Sequence, residues 1–179
     1  MTDSLLKESL IKLKQNSKFS DISIKLPNCD PIKLHRCVLA SRSVKFKMMF
    51  ESELKEGSQE VVPIDSQNPE LFKKMLNWIY SSEIDFPEED NAIFELVLLA
   101  DEYFLEDLRR KCEDELLFRV DGDNSLDILI ASYKHKTILS ENFVETCIST
   151  LVEDFDVTMA KMSDEKIEQK LFGKKNIFF

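Results

Sequence analysis

Residues 17–50, SKFSDISIKLPNCDPIKLHRCVLASRSVKFKMMF, place two hydrophobic periods back to back, and few folds accept that order. Ile22, Ile24 and Leu26 alternate with polar residues, Asn28 and Asp30 supply turn chemistry, and Ile32 and Leu34 resume the alternation, which predicts a β-hairpin. From His35 the period becomes helical. Val38, Leu39 and Ala40 fall in one short segment, and Phe46, Met49 and Phe50 stand at i, i+3, i+4 in a second that Ser43 can N-cap. A strand hairpin therefore runs directly into a helical hairpin.

The flanks extend this pattern. A first helix, capped by Ser4, carries Leu6, Leu10 and Leu13 on one stripe among lysines and glutamates. Gln59 to Ile64 is predicted as a strand. Asn68, Pro69 and Glu70 then give a cap, a proline at the first helical position and an acid in the first turn, ahead of Leu71, Phe72, Met75, Leu76, Ile79 and Tyr80. Ile84 to Phe86 reads as a short extended piece. Asn91 caps a helix with Ile93, Leu96, Val97, Ala100 and Phe104 facing inward, and Leu108, Cys112 and Leu116 form the stripe of another. After the turn residues 121–124, Leu126, Leu129, Ile130 and Tyr133 mark one helix, and Phe143, Cys147, Ile148, Leu151 and Phe155, capped by Ser140, mark its partner. The expected division is a helix over 1–16, a mixed domain over 17–120, a helical pair over 121–172 and a tail over 173–179, in an α+β fold without internal repeats.

Charge and composition narrow the function. A formal net charge of -10 at pH 7 argues against a nucleic-acid binder, which needs clustered cations on phosphates. The densest basic spots, Lys73-Lys74, Arg109-Arg110-Lys111 and Lys174-Lys175, are short or flanked by acids and read as solvated faces. No run reaches the ~18 apolar residues of a membrane span, and Asp3, Lys7 and Glu8 occupy the place of a signal-peptide core. The expected setting is the cytoplasm or the nucleus. Cys29, Cys37, Cys112 and Cys147 lack disulfide-framework spacing, and the last three sit in helical patterns as small hydrophobes. Cys29, His35 and Cys37 have no C-x-x-C pair, so no metal site is expected. Catalysis has equally little support. The chain has two histidines, His35 and His135, and three glycines, and it lacks G-x-S-x-G, H-E-x-x-H and a phosphate loop. Asp21 and His35 read as structural residues at strand ends, and no cofactor is implied.

Phe19-Ser20-Asp21 before the first strand, the run His35-Arg36-Cys37-Val38-Leu39-Ala40-Ser41-Arg42-Ser43 and the run Phe46-Lys47-Met48-Met49-Phe50 closely resemble the signature of the BTB/POZ domain. Phe72 to Tyr80, Leu99 to Leu108 and Cys112-Glu113 resemble later segments of the same family. Val44 departs from it, standing where proline is usual, and Ser82 stands where glycine is usual. The resemblance implies an α+β fold with a small sheet flanked by helical hairpins. It likens 121–172 to the "3-box" pair of cullin-3 adaptors. No MATH, kelch, zinc-finger or ankyrin pattern occurs within the sequence.

Two surfaces follow from the resemblance. Leu6, Leu10 and Leu13, followed by Asn16-Ser17-Lys18-Phe19, resemble the dimerising helix of the speckle-type MATH-BTB proteins, and Val38 matches the small aliphatic at the centre of that homodimer contact. The alternative is a helix folded back on its own domain. Leu54-Lys55-Glu56 aligns with the hydrophobic-x-Glu motif of cullin-3 adaptors, with Met49 and Tyr80 beside it by the same resemblance. The alternative there is an ordinary acidic loop. The expected function is a non-enzymatic homodimeric interaction module that binds cullin-3 in ubiquitin-ligase assembly. Against it stand a scaffold or transcription-regulatory dimer that meets no cullin, and a chain that heterodimerises with other BTB proteins.

Overall fold

The alternating run forms the expected hairpin. β1 (Ile22–Lys25) and β2 (Ile32–Leu34) pair antiparallel, with Ile22 opposite Leu34 and Ile24 opposite Ile32. Asn28 takes φ 54 in the connection, a left-handed conformation that asparagine tolerates better than most residues. Ile22, Ile24, Leu26 and Leu34 are buried while Lys25 and Lys33 face solvent, so the period of two decides which side carries the core. β3 (Val61–Pro63) joins the other side of β1 in parallel, giving a three-stranded sheet of order β2-β1-β3. Pro63 lacks an amide hydrogen, and its place on an edge strand removes the need for one. Beyond the ends of β3, the Ser23 N–H donates to the Glu60 carbonyl at 2.7 Å, and the Ile64 N–H donates to the Lys25 carbonyl at 2.9 Å.

The structure, a computed structural model, describes residues 2–52, 59–121, 124–134 and 139–153. Among these, eight α-helices form: α1 (Thr2–Gln15), α2 (Arg36–Arg42), α3 (Val44–Glu51), α4 (Pro69–Ser81), α5 (Asp90–Glu102), α6 (Glu106–Arg119), α7 (Ser125–Lys134) and α8 (Glu141–Glu153). The chain divides into two units, Met1–Lys111 and Cys112–Phe179, with the boundary inside α6.

In the first unit the local signals explain most helix ends. Ser43 caps α3 by accepting from the Phe46 N–H at 3.2 Å, and Asn68 caps α4 by accepting from the Leu71 N–H at 3.3 Å. Val44 opens α3 in place of the expected family proline, so Ser43 alone sets that start. α4 buries its whole predicted stripe and Trp78 as well, which the stripe omitted. Ser82 ends α4 at φ 53, its N–H donating to the Trp78 carbonyl at 2.7 Å, so a serine makes the left-handed turn that glycine usually makes. Four expectations fail in this unit. α1 begins at Thr2, which places Ser4 inside it. α5 begins at Asp90 after Glu89, so Asn91 is its second residue, and the acid at its start suits the positive end of the helix dipole. Ile84 to Phe86 enters no strand, because the three-stranded sheet ends at β2 and β3. Phe104 lies past the end of α5 and is 62% exposed, since the helix stops at Glu102 before the stripe can reach it.

In the second unit α7 and α8 pack on each other, and Ser140 accepts from the Phe143 N–H at 3.3 Å as predicted. Phe143 and Cys147 are fully covered, but Ile148 is 45% exposed. On α7 the buried line is Ser125 and Ile128, and Tyr133 is 71% exposed, so the inward face is rotated from the Leu126, Leu129, Ile130, Tyr133 stripe. A helix with apolar residues on two sides can bury only the side its neighbour covers. Phe155 lies outside the described residues.

The thiols differ in exposure, with Cys29 intermediate. Cys112 and Cys147 are buried, whereas Cys37 is exposed on α2, a correction to its reading as a packed hydrophobe; α2 turns Val38 and Leu39 inward instead. Burial pushes the Cys112 thiol up to about 12 and the Cys147 thiol up to about 11, leaving little thiolate at neutral pH. Iodoacetamide at pH 8 is therefore expected to label Cys37 in the folded protein and to reach Cys112 and Cys147 only in urea. Peptide mass mapping checks this, and early labelling of Cys112 would show that α6 is not packed as described.

Candidate functional site

His35 closes β2 and precedes α2, and three elements meet at it. Its N–H donates to the Tyr80 hydroxyl oxygen at 2.9 Å, and its Nδ1 lies 3.1 Å from the same oxygen. Both residues are buried, and burial pushes the Tyr80 hydroxyl up to about 12, the His35 backbone bond opposing it. Asp21 turns elsewhere: its Oδ1 accepts from the Arg36 N–H at 2.8 Å and so holds the start of α2. Carboxylate and imidazole are thus engaged with different groups, and no acid-base pair is assembled. This arrangement clamps the hairpin to α4, in keeping with the structural reading of both residues. Among the described residues, no three His, Cys, Asp or Glu side chains gather as a metal site.

A second clamp sets α3. Ser43 is fully buried, and its Oγ also donates to the Tyr103 carbonyl at 2.7 Å. The Tyr103 ring lies 4.9 Å from Phe46 and 5.4 Å from Phe72, the latter edge-on at 85°, spacings at which aromatic rings attract. Burial, with Glu102 as a lesser cause, raises the Tyr103 hydroxyl well above the usual tyrosine range. Lys45 sits 4.4 Å above that ring and pairs with Glu102. Held this way, α3 turns Phe46 inward and leaves Val44 51% and Met48 64% exposed. Met49 is half-buried on the same helix. Leu54 and Glu56 follow α3 and lie outside the described residues.

The N-terminal helix presents a different surface. Leu6 is 64% exposed and its neighbour Leu5 66%, while Leu10 and Leu13 are half-buried. Lys7 pairs with Glu83, and Lys14 bonds the Asn77 side chain, fastening the other side of α1 along α4. A groove of about 810 Å³ runs between them, lined in part by Ile11, Lys14, Asn77, Tyr80 and Ile84, and burial lowers the Lys14 ammonium below the usual lysine range. One side of α1 thus folds back on its own domain, while Leu5 and Leu6 stay open and Leu10 and Leu13 are part-covered. Val38, 7% exposed, lies on α2. Tyr80 is 2% exposed, so of the four residues taken as cullin contacts it belongs to the core of the first unit. Sequence reasoning missed Leu5, Val44, Met48 and Phe104 as exposed apolar residues. Val44 and Met48, one turn apart and off the Phe46, Met49, Phe50 stripe, carried a legible signal.

These features find counterparts in known proteins. Mouse TD and POZ domain-containing protein 4 is 31% identical over 137 residues, 76% of this chain and 37% of that protein. Mouse TD and POZ domain-containing protein 1 is 32% identical over 133 residues, 74% of this chain and 36% of that protein. The chain thus spans well under half the length of the curated relatives it matches. Among solved structures, the BTB domain of zebrafish PATZ1 aligns with a TM-score of 0.54 over 66% of this chain and 93% of that one, at 18% identity. That likeness bears on the fold alone, and it matches a small sheet joined to helical hairpins. The BTB/POZ domain family itself matches residues 10–119, more than half of the chain. With a hairpin that feeds a capped helical pair and two clamps that hold it, the chain belongs to the BTB/POZ family, as an α+β protein-interaction module.

Proposed function

We infer that the chain is a homodimeric adaptor that binds cullin-3 in ubiquitin-ligase assembly. The observation that carries the reading is the course of α3. Its outer face stays apolar at Val44 and Met48, and three residues beyond its end at Glu51 comes Leu54-Lys55-Glu56, the spacing resembling that of the hydrophobic-x-Glu motif in cullin-3 adaptors. An apolar anchor at Leu54 fills a pocket on the partner, and the Glu56 carboxylate accepts hydrogen bonds beside it. The α7–α8 pair supports the same reading, since it follows the matched domain in sequence as the helical extension does in such adaptors. Dimerisation is supported by the open side of α1, where Leu5 and Leu6 leave apolar area without cover in one chain.

Calorimetry against the cullin-3 N-terminal domain tests the reading. The unmodified chain, a dimer by light scattering at micromolar concentration, is expected to bind. Leu54→Asp and Glu56→Lys should each weaken binding by about 2 kcal/mol, some thirtyfold, with circular dichroism and dimer state unchanged. Undiminished binding in both variants would place the interface elsewhere. A monomer, or no binding at all, would defeat the adaptor reading.

A further inference from the structure

Two other helices each send a cation to the end of α4. Arg42, the last residue of α2, donates from its guanidinium to the Ser82 Oγ at 3.1 Å. Lys7, from α1, pairs with Glu83 on the next residue. Both Ser82 and Arg42 are exposed. Among the described residues Arg42 has no carboxylate partner, so its charge rests on a neutral hydroxyl. The planar guanidinium fork matches two oxygens of a carboxylate or phosphate at once, and a hydroxyl offers it one uncharged oxygen. A phosphate ester at that hydroxyl would set charged oxygens before a fork already aimed at it.

The residues after Ser82 say what would put it there. Glu83 follows directly and Asp85 stands three residues on, and of all the serines in the chain only Ser82 has an acid three places after it. Acidophilic serine kinases choose their substrates by such a charge pattern, which a basic pocket reads beside the reacting hydroxyl. The pattern is accessible here: residues 83–87 belong to no helix or strand, and the Asp85 side chain is 96% exposed. Its pair with Lys74 at 2.9 Å is a surface ion pair, which a competing cation displaces at little cost. Ser81 supplies the contrast. Its Oγ lies 2.9 Å from the Asn77 carbonyl and accepts from the Glu83 N–H at 3.0 Å, and the third residue after it is Ile84.

We propose that Ser82 is a phosphorylation site for an acidophilic serine kinase, and that Arg42 holds the phosphoserine and so locks the end of α2 to the end of α4. The Ser82 Oγ attacks the γ-phosphorus of Mg-ATP, ADP leaves, and the hydroxyl proton passes to the base of the kinase. The product carries about −1.5 to −2 charge at pH 7. Two features oppose it, the negative end of the α4 dipole and the Glu83 carboxylate. Arg42 counters both with a charge-assisted pair to two phosphate oxygens, and Lys7 on Glu83 brings a second cation to the same turn. Without Arg42 the phosphate sits among like charges at a helix C-terminus, an arrangement that loosens a helix end. Arg42 therefore decides the sign of the effect. The site is independent of the adaptor reading.

The test uses the full chain with casein kinase II and Mg-ATP, followed by mass mapping of phosphopeptides and thermal melting. Phosphate is expected on Ser82. Asp85→Asn should slow its incorporation about tenfold, the worth of one charge-assisted contact. Ser82→Gly, which suits a left-handed turn, should fold and take no phosphate at this position. The phosphorylated chain should melt a few degrees above its unphosphorylated form, whereas phosphorylated Arg42→Ala should melt below its own. No phosphate on Ser82, or incorporation as fast in Asp85→Asn, would overturn the site. An equal melting shift with and without Arg42 would overturn the lock.

Discussion

Phe46→Ala should lower the stability of the first unit by about 3–5 kcal/mol, the range found when a buried phenylalanine is truncated. Phe46 has no exposed surface, and its ring lies 4.9 Å from Tyr103 and 5.8 Å from Phe50. Removing it opens a cavity at the point where α3 meets the turn after α5, and the Ser43 clamp on one side limits how far the walls can relax inward. Trp78 is the only tryptophan in the chain and is 3% exposed, so its emission during urea unfolding reports this unit without interference from the helical pair. With a loss of this size the midpoint should fall by ~1–5 M at ordinary urea sensitivity. A midpoint unchanged within error would mean that the cluster around Tyr103 is not part of the folded core.

Ser43→Ala should cost about 2–4 kcal/mol, which is large for the loss of one oxygen. Two effects combine. The cap of α3 disappears, typically about 1 kcal/mol, and the Tyr103 carbonyl loses a donor in a place water does not reach, about 1–3 kcal/mol. Ser41→Ala supplies the comparison, since that hydroxyl bonds only the Val38 carbonyl of its own helix at 2.9 Å and is exposed; its loss should stay within about 0.5 kcal/mol. Equal midpoints for the two variants in the same urea titration would remove Ser43 from its place as a link between α3 and α5.

What the sequence made legible was whatever is decided within a few residues. The alternation of Ile22, Ile24 and Leu26, the cap-proline pair before α4 and the spacing of its stripe are all local, and each appears where expected. Contacts that hold the two clamps are not local. Tyr80 meets His35 across 45 positions and Tyr103 meets Ser43 across 60, and no periodic pattern encodes such a bond. Facing was harder still. Tyr133, Ile148 and Phe104 are apolar at helical spacing yet exposed, because burial depends on which neighbour arrives and on where a helix stops. Positive φ at Phe104 escaped notice for a related reason: glycine and asparagine announce that conformation in a sequence, as Asn28 does, and a phenylalanine does not.

The parallel pairing of β3 with β1 has a bearing on how this surface can change. β3 is located by its ladder, Ser23 with Val61 and Ile24 with Val62, and α3 by its clamp to Tyr103. Each end is therefore fixed without the other, α3 by its clamp and β3 by its ladder. The entropy of closing a loop grows slowly, so doubling such a connection costs only about 0.6 kcal/mol. Changes of length or sequence between these two ends are thus expected to leave the ladder and the clamp in place, which makes this part of the sequence the natural place to graft a new recognition sequence onto the scaffold.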